Sequence, residues 1–311
     1  MQNLKPYNRL PIWHYNANKH GWIPRDPAMV HYPDAYRHGS LRVITYNIWF
    51  DTRYQPQRFR HLNLLLQHTN AQIICLQEMT RSVLQGLISQ PWIQRRYLVS
   101  DIDGRTFVTS PDSYGVVMLI DKQLPVQQLM SIPFPSKLGR QLLLAEIQIG
   151  SELLAIGTVH LESMRRNEDT RSEQLQICQA IFDKYTKKRS RATCLLVGDF
   201  NFDYQWPENF DQMNILANWT DLWPRLNGLY DPGLTTLREA RLDRMMFRSS
   251  RIIPIGIKII GNQPIAHIPK EHNLGTNILN VLSLGYVGPS VENVFLSDHF
   301  GLMADFDLRH V

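Results

Sequence analysis

The sequence predicts two mixed β-sheets packed face to face with helices on the outside, and three observations lead there. From residue 42 onward, the aliphatic and β-branched runs RVITYNIWF, IICLQE, YGVVMLI, QLLLAEIQIG, ELLAIGTVHLE, CLLVGDFN, LDRMMF and LMADFDL read as strands, too many for one small sheet. Between some of them apolar residues recur at three-and-four spacing, the mark of a helix that buries one face. Other runs are joined by a short turn, as at Gly150-Ser151, so helical crossovers and hairpins coexist and the sheets must be mixed.

Along the chain, residues 1–40 are rich in Pro, His, Tyr and Trp without periodicity, and are expected to form an irregular extension. Residues 41–311 show no linker and read as a single domain. Its helices are expected at the Phe59, Leu62, Leu66 stripe, at the Val83, Leu84, Leu87, Ile88 face, and at Leu175, Cys178, Ile181, Phe182, Tyr185. Residues 262–295 carry Gly, Pro, Asn and His with few apolar pairs and read as a long loop, a candidate lid, just before Ser297-Asp298-His299.

Hydrophobic residues make up 43% of the 311 and charged residues 20%, the balance of a folded protein rather than a disordered one. The formal net charge of +5 mildly favours polyanions. The cations are uneven: Arg165, Arg166 and Arg171 form one group, and Lys184, Lys187, Lys188, Arg189 and Arg191 close an expected helix, where cations complement the dipole. The three cysteines, Cys75, Cys178 and Cys194, fall in apolar or helical runs without a CxxC pair and read as reduced core residues. The N-terminus lacks a secretory pattern, and no run approaches about 18 uninterrupted apolar residues, so a cytoplasmic monomer is expected.

Polar residues stand at the C-terminal ends of the apolar strands: Asn47 after VITY, Glu78 after IICLQ, His160 and Glu162 after LLAIGTV, Asp199 and Asn201 after CLLVG. Carboxylates and carboxamides without thiols suit a hard cation, Mg²⁺ with Mn²⁺ as a substitute, better than zinc. Asp298-His299 lies between the long loop and the last strand, and a histidine beside a carboxylate can donate a proton or hydrogen bond to a phosphoryl oxygen.

In that order, ITYNIWFD, IICLQE, GTVHLES, LLVGDFN, RLDRMMF and LSDHFGLM resemble the signature segments of the endonuclease/exonuclease/phosphatase superfamily. SYGVVML, SIPFPSKLGRQLL and VHLESMRR further resemble its 5′-tyrosyl-DNA phosphodiesterase branch. The resemblance implies a four-layer α/β/β/α sandwich and hydrolysis of the phosphodiester between a protein tyrosine and a DNA 5′ end. By position, Glu78 would bind Mg²⁺ with Asn47 and Asp298 close by, and Asp199 would orient or deprotonate the attacking water. Asn201 would hold the phosphate, with His160 beside it. His299, positioned by Asp298, would stabilise the oxyanion, and Asp243 would support the site. Tyr114, Arg140 and Arg165 match the substrate-facing side.

Two positions depart from that branch. Asn201-Phe202-Asp203 lacks an arginine found there, and Gly233-Leu234-Thr235-Thr236 lacks an aromatic. Three other functions remain open. A lipid or inositol-phosphate phosphodiesterase would display an exposed aromatic or apolar hairpin, for which Trp13, Trp22, Trp219 and Trp223 are candidates. A general DNA or RNA nuclease would cut internal bonds. A catalytically inert binding module would have lost part of the set Glu78, Asp199 and His299, which is intact here.

Overall fold

The computed structural model describes residues 7–26, 39–107, 113–188, 191–249, 251–269, 291–309 and 311. In chain order the elements begin with β1 (Asn8–Leu10), β2 (Trp13–Asn16), β3 (Gly21–Pro24), β4 (Ser40–Asn47), α1 (Gln55–Thr69), β5 (Ile73–Thr80), α2 (Arg81–Ile88) and α3 (Pro91–Arg96). They continue with β6 (Tyr97–Val99), β7 (Tyr114–Asp121), β8 (Val126–Pro133), β9 (Gln141–Ile149), β10 (Glu152–His160), α4 (Glu168–Lys188) and β11 (Ala192–Asp199). The last third holds α5 (Glu208–Ile215), β12 (Thr220–Asp221), α6 (Leu222–Asn227), β13 (Asp243–Arg248), β14 (Ile253–Ile260), β15 (Ala266–Pro269), β16 (Val291–Val294) and β17 (Gly301–Asp307).

The strands form two mixed sheets. One has the order β1-β8-β9-β10-β11-β13-β12 and the other β14-β17-β4-β5-β7-β6-β2-β3. The parallel pairs β4/β5 and β10/β11 are bridged by the helices α1 and α4, whereas β9/β10 is the hairpin expected at Gly150-Ser151. Three buried layers hold the sandwich together. Val43, Cys75, Met118, Ala145, Ile156, Val197 and Met245 fill the space between the sheets. Leu62 and Leu66 of α1 with Leu84 and Leu87 of α2 cover the outer face of the eight-stranded sheet. Leu175, Cys178 and Phe182 of α4 cover the other. That is the four-layer α/β/β/α arrangement, driven by burial of one apolar stripe per helix on each sheet.

Helix ends follow local chemistry. α1 starts with a proline in its first turn, where a missing N–H costs nothing, and stops at Asn70 in the left-handed region with φ 53°. The Thr80 hydroxyl caps α2 by accepting from the Val83 amide.

Several expectations require correction. The described part of the segment read as irregular carries β1, which pairs with β8, and β2, which pairs with β6 and β3. These strands are three or four residues long and half exposed, too short to print an alternating pattern. Residues 1–6 and 27–38 lie outside the described residues. The loop read at 262–295 contains the antiparallel pair β15/β16, and its centre, residues 270–290, lies outside the described residues. β14 escaped detection because Pro254 and Gly256 interrupt its apolar run; it tolerates them as an edge strand with a register shift between those residues.

Trp219 and Trp223 are buried, and Trp13 and Trp22 are half-buried in β2 and β3, so the tryptophans do not build a projecting apolar hairpin. Among the described residues no helix is long and apolar enough to cross a membrane.

Candidate active site

Strand register gathers the polar residues. His160 ends β10 beside Asp199 at the end of β11, which in turn faces Asp243 at the start of β13. In the opposite sheet Asn47 ends β4 beside Gln77 of β5. Glu78 follows at φ 58°, inside a register shift between Leu76 and Met79 where β5 leaves its pairing with β7. A bulge of this kind re-aims one side chain, here out of the sheet and toward Asn47. A left-handed non-glycine residue costs about 1 kcal/mol or more, which the flanking strands must hold in place.

Gly198 is required where it stands. Its φ is 138°, and a Cβ would lie 2.0 Å from the Val159 carbonyl oxygen, so a side chain there would push β10 away from β11 and misplace Asp199. Beneath the site, Gln77 Nε2 donates to Thr45 Oγ1 at 3.0 Å and to Thr158 Oγ1 at 2.9 Å, tying the two sheets together under the C-terminal ends of their strands.

The Asn47 carboxamide is the hub. Its Nδ2 donates to Glu78 Oε1 at 3.1 Å and to Asp199 Oδ2 at 3.0 Å, while its Oδ1 accepts from the Trp49 amide. Glu78 Oε2 accepts from the Phe50 amide at 2.9 Å, and Asp199 Oδ1 from the Asn201 amide at 2.8 Å. Asn201 stands at φ 56°, a region asparagine tolerates, with its Nδ2 on the Leu161 carbonyl. Burial raises the pKa of both Glu78 and Asp199, opposed by these hydrogen bonds and by the charge on His299.

The two histidines are set in opposite protonation states. The guanidinium of Arg140 donates from Nη1 to His160 Nδ1 at 2.7 Å, so that nitrogen is an acceptor and the proton sits on Nε2, 3.4 Å from Asp199 Oδ2. Burial, then Arg140 and His299, hold the His160 pKa well below its ordinary value and keep the ring neutral. For His299 burial pulls the pKa down, but Asp243 and then Asp199 outweigh it and raise it to about 10. Its Nδ1–H donates to Asp243 Oδ2 at 2.8 Å, and its Nε2 lies 3.8 Å from Asp199 Oδ2.

The partner of His299 is therefore Asp243 and not, as expected from the sequence, Asp298. Adjacent residues on an extended chain point to opposite sides, and the Asp298 Oδ1 is buried without a hydrogen-bond partner. Asp243 Oδ1 is likewise buried and unpartnered. One donor atom each from Asp199, Asp243 and His299 lie within 4.8 Å of one another. The orphaned oxygens of Asp243, which faces Asp199 across the strand pair, and of Asp298, next to His299 in the chain, with a cationic histidine as counter-charge, leave an excess of anionic oxygen that fits a divalent hard cation. Because His299 is held protonated by Asp243, oxygen donors rather than its imidazole suit such an ion.

Tyr114 forms one wall. Its ring stacks on Phe50 with centroids 4.8 Å apart and 10° between planes, and the Arg140 guanidinium lies 5.3 Å from the Tyr114 centroid. Arg140 itself is placed by Ser136, whose hydroxyl accepts from the Arg140 amide and donates to Glu162 Oε2. The guanidinium of Arg165 lies 4.4 Å over the Trp206 ring.

Arg171, grouped with Arg165 and Arg166 in the sequence, is fully buried: it grips Glu208 through two hydrogen bonds and the carbonyls of Glu162, Met164 and Arg165. The unusual Asp203 accepts the Arg241 amide at 2.6 Å, and Thr236 is paired in an isolated bridge with His299, so both departures from the expected pattern have structural tasks. Sequence reasoning missed Phe50, whose amide holds Glu78, and Ser297, whose hydroxyl donates to the Asn47 carbonyl at 2.7 Å and accepts from the His299 amide. Ser297 adjoins the recognised Asp298-His299 pair, whereas Phe50 acts through its backbone and leaves no residue-type signal.

A model of the Endonuclease/Exonuclease/phosphatase family matches residues 44–299. The chain is 28% identical over 289 residues to tyrosyl-DNA phosphodiesterase 2 of Gallus gallus, covering 86% of this chain and 67% of that protein. It spans about half, 48%, of the Homo sapiens protein of the same name, which it also matches. Among solved structures, a humanized D. rerio TDP2 carrying 14 mutations superimposes with a TM-score of 0.66 at 22% identity, covering 87% of this chain and 100% of that one. D. rerio TDP2 complexed with single strand DNA product gives 0.65 at 21% identity over 87% of this chain and 100% of that one. These structural likenesses speak for the fold.

Proposed function

The chain belongs to the endonuclease/exonuclease/phosphatase family, and from that premise we propose that it is a Mg²⁺-dependent phosphodiesterase, with Mn²⁺ as a substitute, that hydrolyses 5′-phosphotyrosyl DNA ends. The observation that carries the substrate is the stacked Phe50–Tyr114 pair beside His160, an aromatic wall next to the acid cluster where a phenol or a terminal base can stack. The relatives named tyrosyl-DNA phosphodiesterase 2 support the same reading.

Each residue has a task in that reaction. Glu78, oriented by Asn47 and the Phe50 amide, would hold the ion with help from the free Asp298 or Asp243 oxygen. When bound, the ion would withdraw charge from the phosphoryl oxygens as a Lewis acid. Asp199 takes a proton from the water that attacks phosphorus, its acidity weakened by burial so that it serves as a base. The Asn201 amide fixes one of its oxygens. As the water–phosphorus bond forms and the phosphorus–tyrosyl oxygen bond breaks, His299 as a cation and the His160 Nε2–H donate to the phosphoryl oxygens where charge accumulates. The leaving phenol has a pKa of about 10, so it departs without a dedicated acid.

The test is a side-by-side rate comparison at two salt concentrations on a 5′-phosphotyrosyl single strand, an internal phosphodiester, sphingomyelin and an inositol phosphate. The tyrosyl end should be cleaved fastest; preference for any of the others removes this substrate while leaving the family intact.

A further inference from the structure

Arg58 lies in the first turns of α1, is 5% exposed and is hydrogen-bonded to no carboxylate among the described residues. Its guanidinium instead satisfies its N–H groups on backbone carbonyls. Nε donates to Leu296 at 2.7 Å, Nη1 to Asp51 at 2.6 Å and Arg53 at 3.2 Å, and Nη2 to Ile48 and Trp49 at 2.7 Å each. The Trp49 ring lies against the same guanidinium, 4.6 Å from centroid to carbon. A buried cation needs such compensation, and only a planar five-donor fork can reach five carbonyls on two segments at once.

Both segments carry site residues. The loop from 48 to 53 supplies the Trp49 amide that donates to Asn47 Oδ1 and the Phe50 amide that donates to Glu78 Oε2. Trp49 sits at φ 60° and Tyr54 at φ 53°, conformations that a free loop would leave. On the other segment, Leu296 precedes Ser297, which links the Asn47 carbonyl to the His299 amide. One side chain therefore spans the Glu78 side and the His299 side of the site without touching either reacting group.

We propose that Arg58 is a positioning residue whose guanidinium locks the Glu78–Asn47 metal side and the Ser297–His299 side into one geometry, so that losing the fork weakens metal binding and catalysis together. The inference rests on the proposed metal-dependent hydrolysis, and its test separates the two. The informative variant is Arg58→Lys, which keeps the charge and stem but offers three donors from a single point; Arg58→Ala is the second, with guanidinium ion added back in solution. Mn²⁺ binding is measured without substrate by electron paramagnetic resonance, alongside thermal unfolding and turnover of a generic aryl phosphodiester.

The expected result is a Kd for Mn²⁺ at least tenfold weaker and a kcat at least tenfold lower in Arg58→Lys with its melting transition retained, and partial recovery of both in Arg58→Ala with guanidinium. Unchanged Mn²⁺ affinity in folded Arg58→Lys overturns the proposal, as does a variant that loses only stability. If the unaltered protein itself binds no Mn²⁺, the metal reading of the site fails instead.

Discussion

His299 donates its Nδ1–H to Asp243 at 2.8 Å, while its chain neighbour Asp298 keeps a buried, unpartnered oxygen. The carboxylate that governs this histidine thus comes from 56 positions away on another sheet. This pairing makes His299 a cation well above the ordinary histidine range.

Asp243→Asn removes the charge that raises the His299 pKa while burial, which lowers it, remains. The histidine should then lose its proton at lower pH. In the unaltered protein the alkaline limb of the kcat profile should fall as pH rises through about 10, and in the variant it should move to lower pH. A pH–rate profile on an aryl phosphodiester reads the shift; an unmoved limb would show that Asp243 does not set the charge.

Asp199→Asn and His299→Ala should each lower kcat by about 10² to 10⁴, the scale of a lost general base or oxyanion donor, with the fold intact. Glu78→Gln should instead raise the metal concentration needed for half-maximal rate. Chelation by EDTA should stop turnover and Mg²⁺ or Mn²⁺ restore it. Steady-state kinetics with metal titration distinguishes these effects, and near-normal rates in either of the first two variants would reassign the roles.

Tyr114→Ala removes the ring that stacks on Phe50 and lies under Arg140. Stacking on one aromatic is worth about 1–3 kcal/mol per base, so KM for a single-stranded 5′-phosphotyrosyl substrate should rise by roughly tenfold or more while a small aryl phosphate loses less. Equal losses on both would place Tyr114 in the scaffold rather than the substrate wall.

Arg171→Ala leaves Glu208 buried without its partner, which costs about 3–5 kcal/mol in buried pairs. The variant should melt far earlier, with a salt dependence of DNA binding like that of the unaltered protein. Calorimetry and binding at two salt concentrations check it; a changed salt slope at unchanged stability would make Arg171 a surface contact rather than a buried anchor.

The helix faces and long strands were legible because each is local. Leu62 and Leu66, or Leu175, Cys178 and Phe182, repeat at helical spacing and bury the face that the repeat marks. The family was legible for a similar reason, since LLVGDFN or LSDHFGLM keeps its residues within one turn of chain. Pairing across the molecule was not. That His299 answers to Asp243, that Arg140 fixes the tautomer of His160, and that Arg171 is a buried anchor depend on register and burial. Those are set only when two sheets close on each other, and a carboxylate or guanidinium carries no mark in sequence of the partner that desolvation will force on it. Composition and periodicity determined the layers and the residue types at the strand ends; tertiary packing decided which of those residues touch, and therefore which hold a charge.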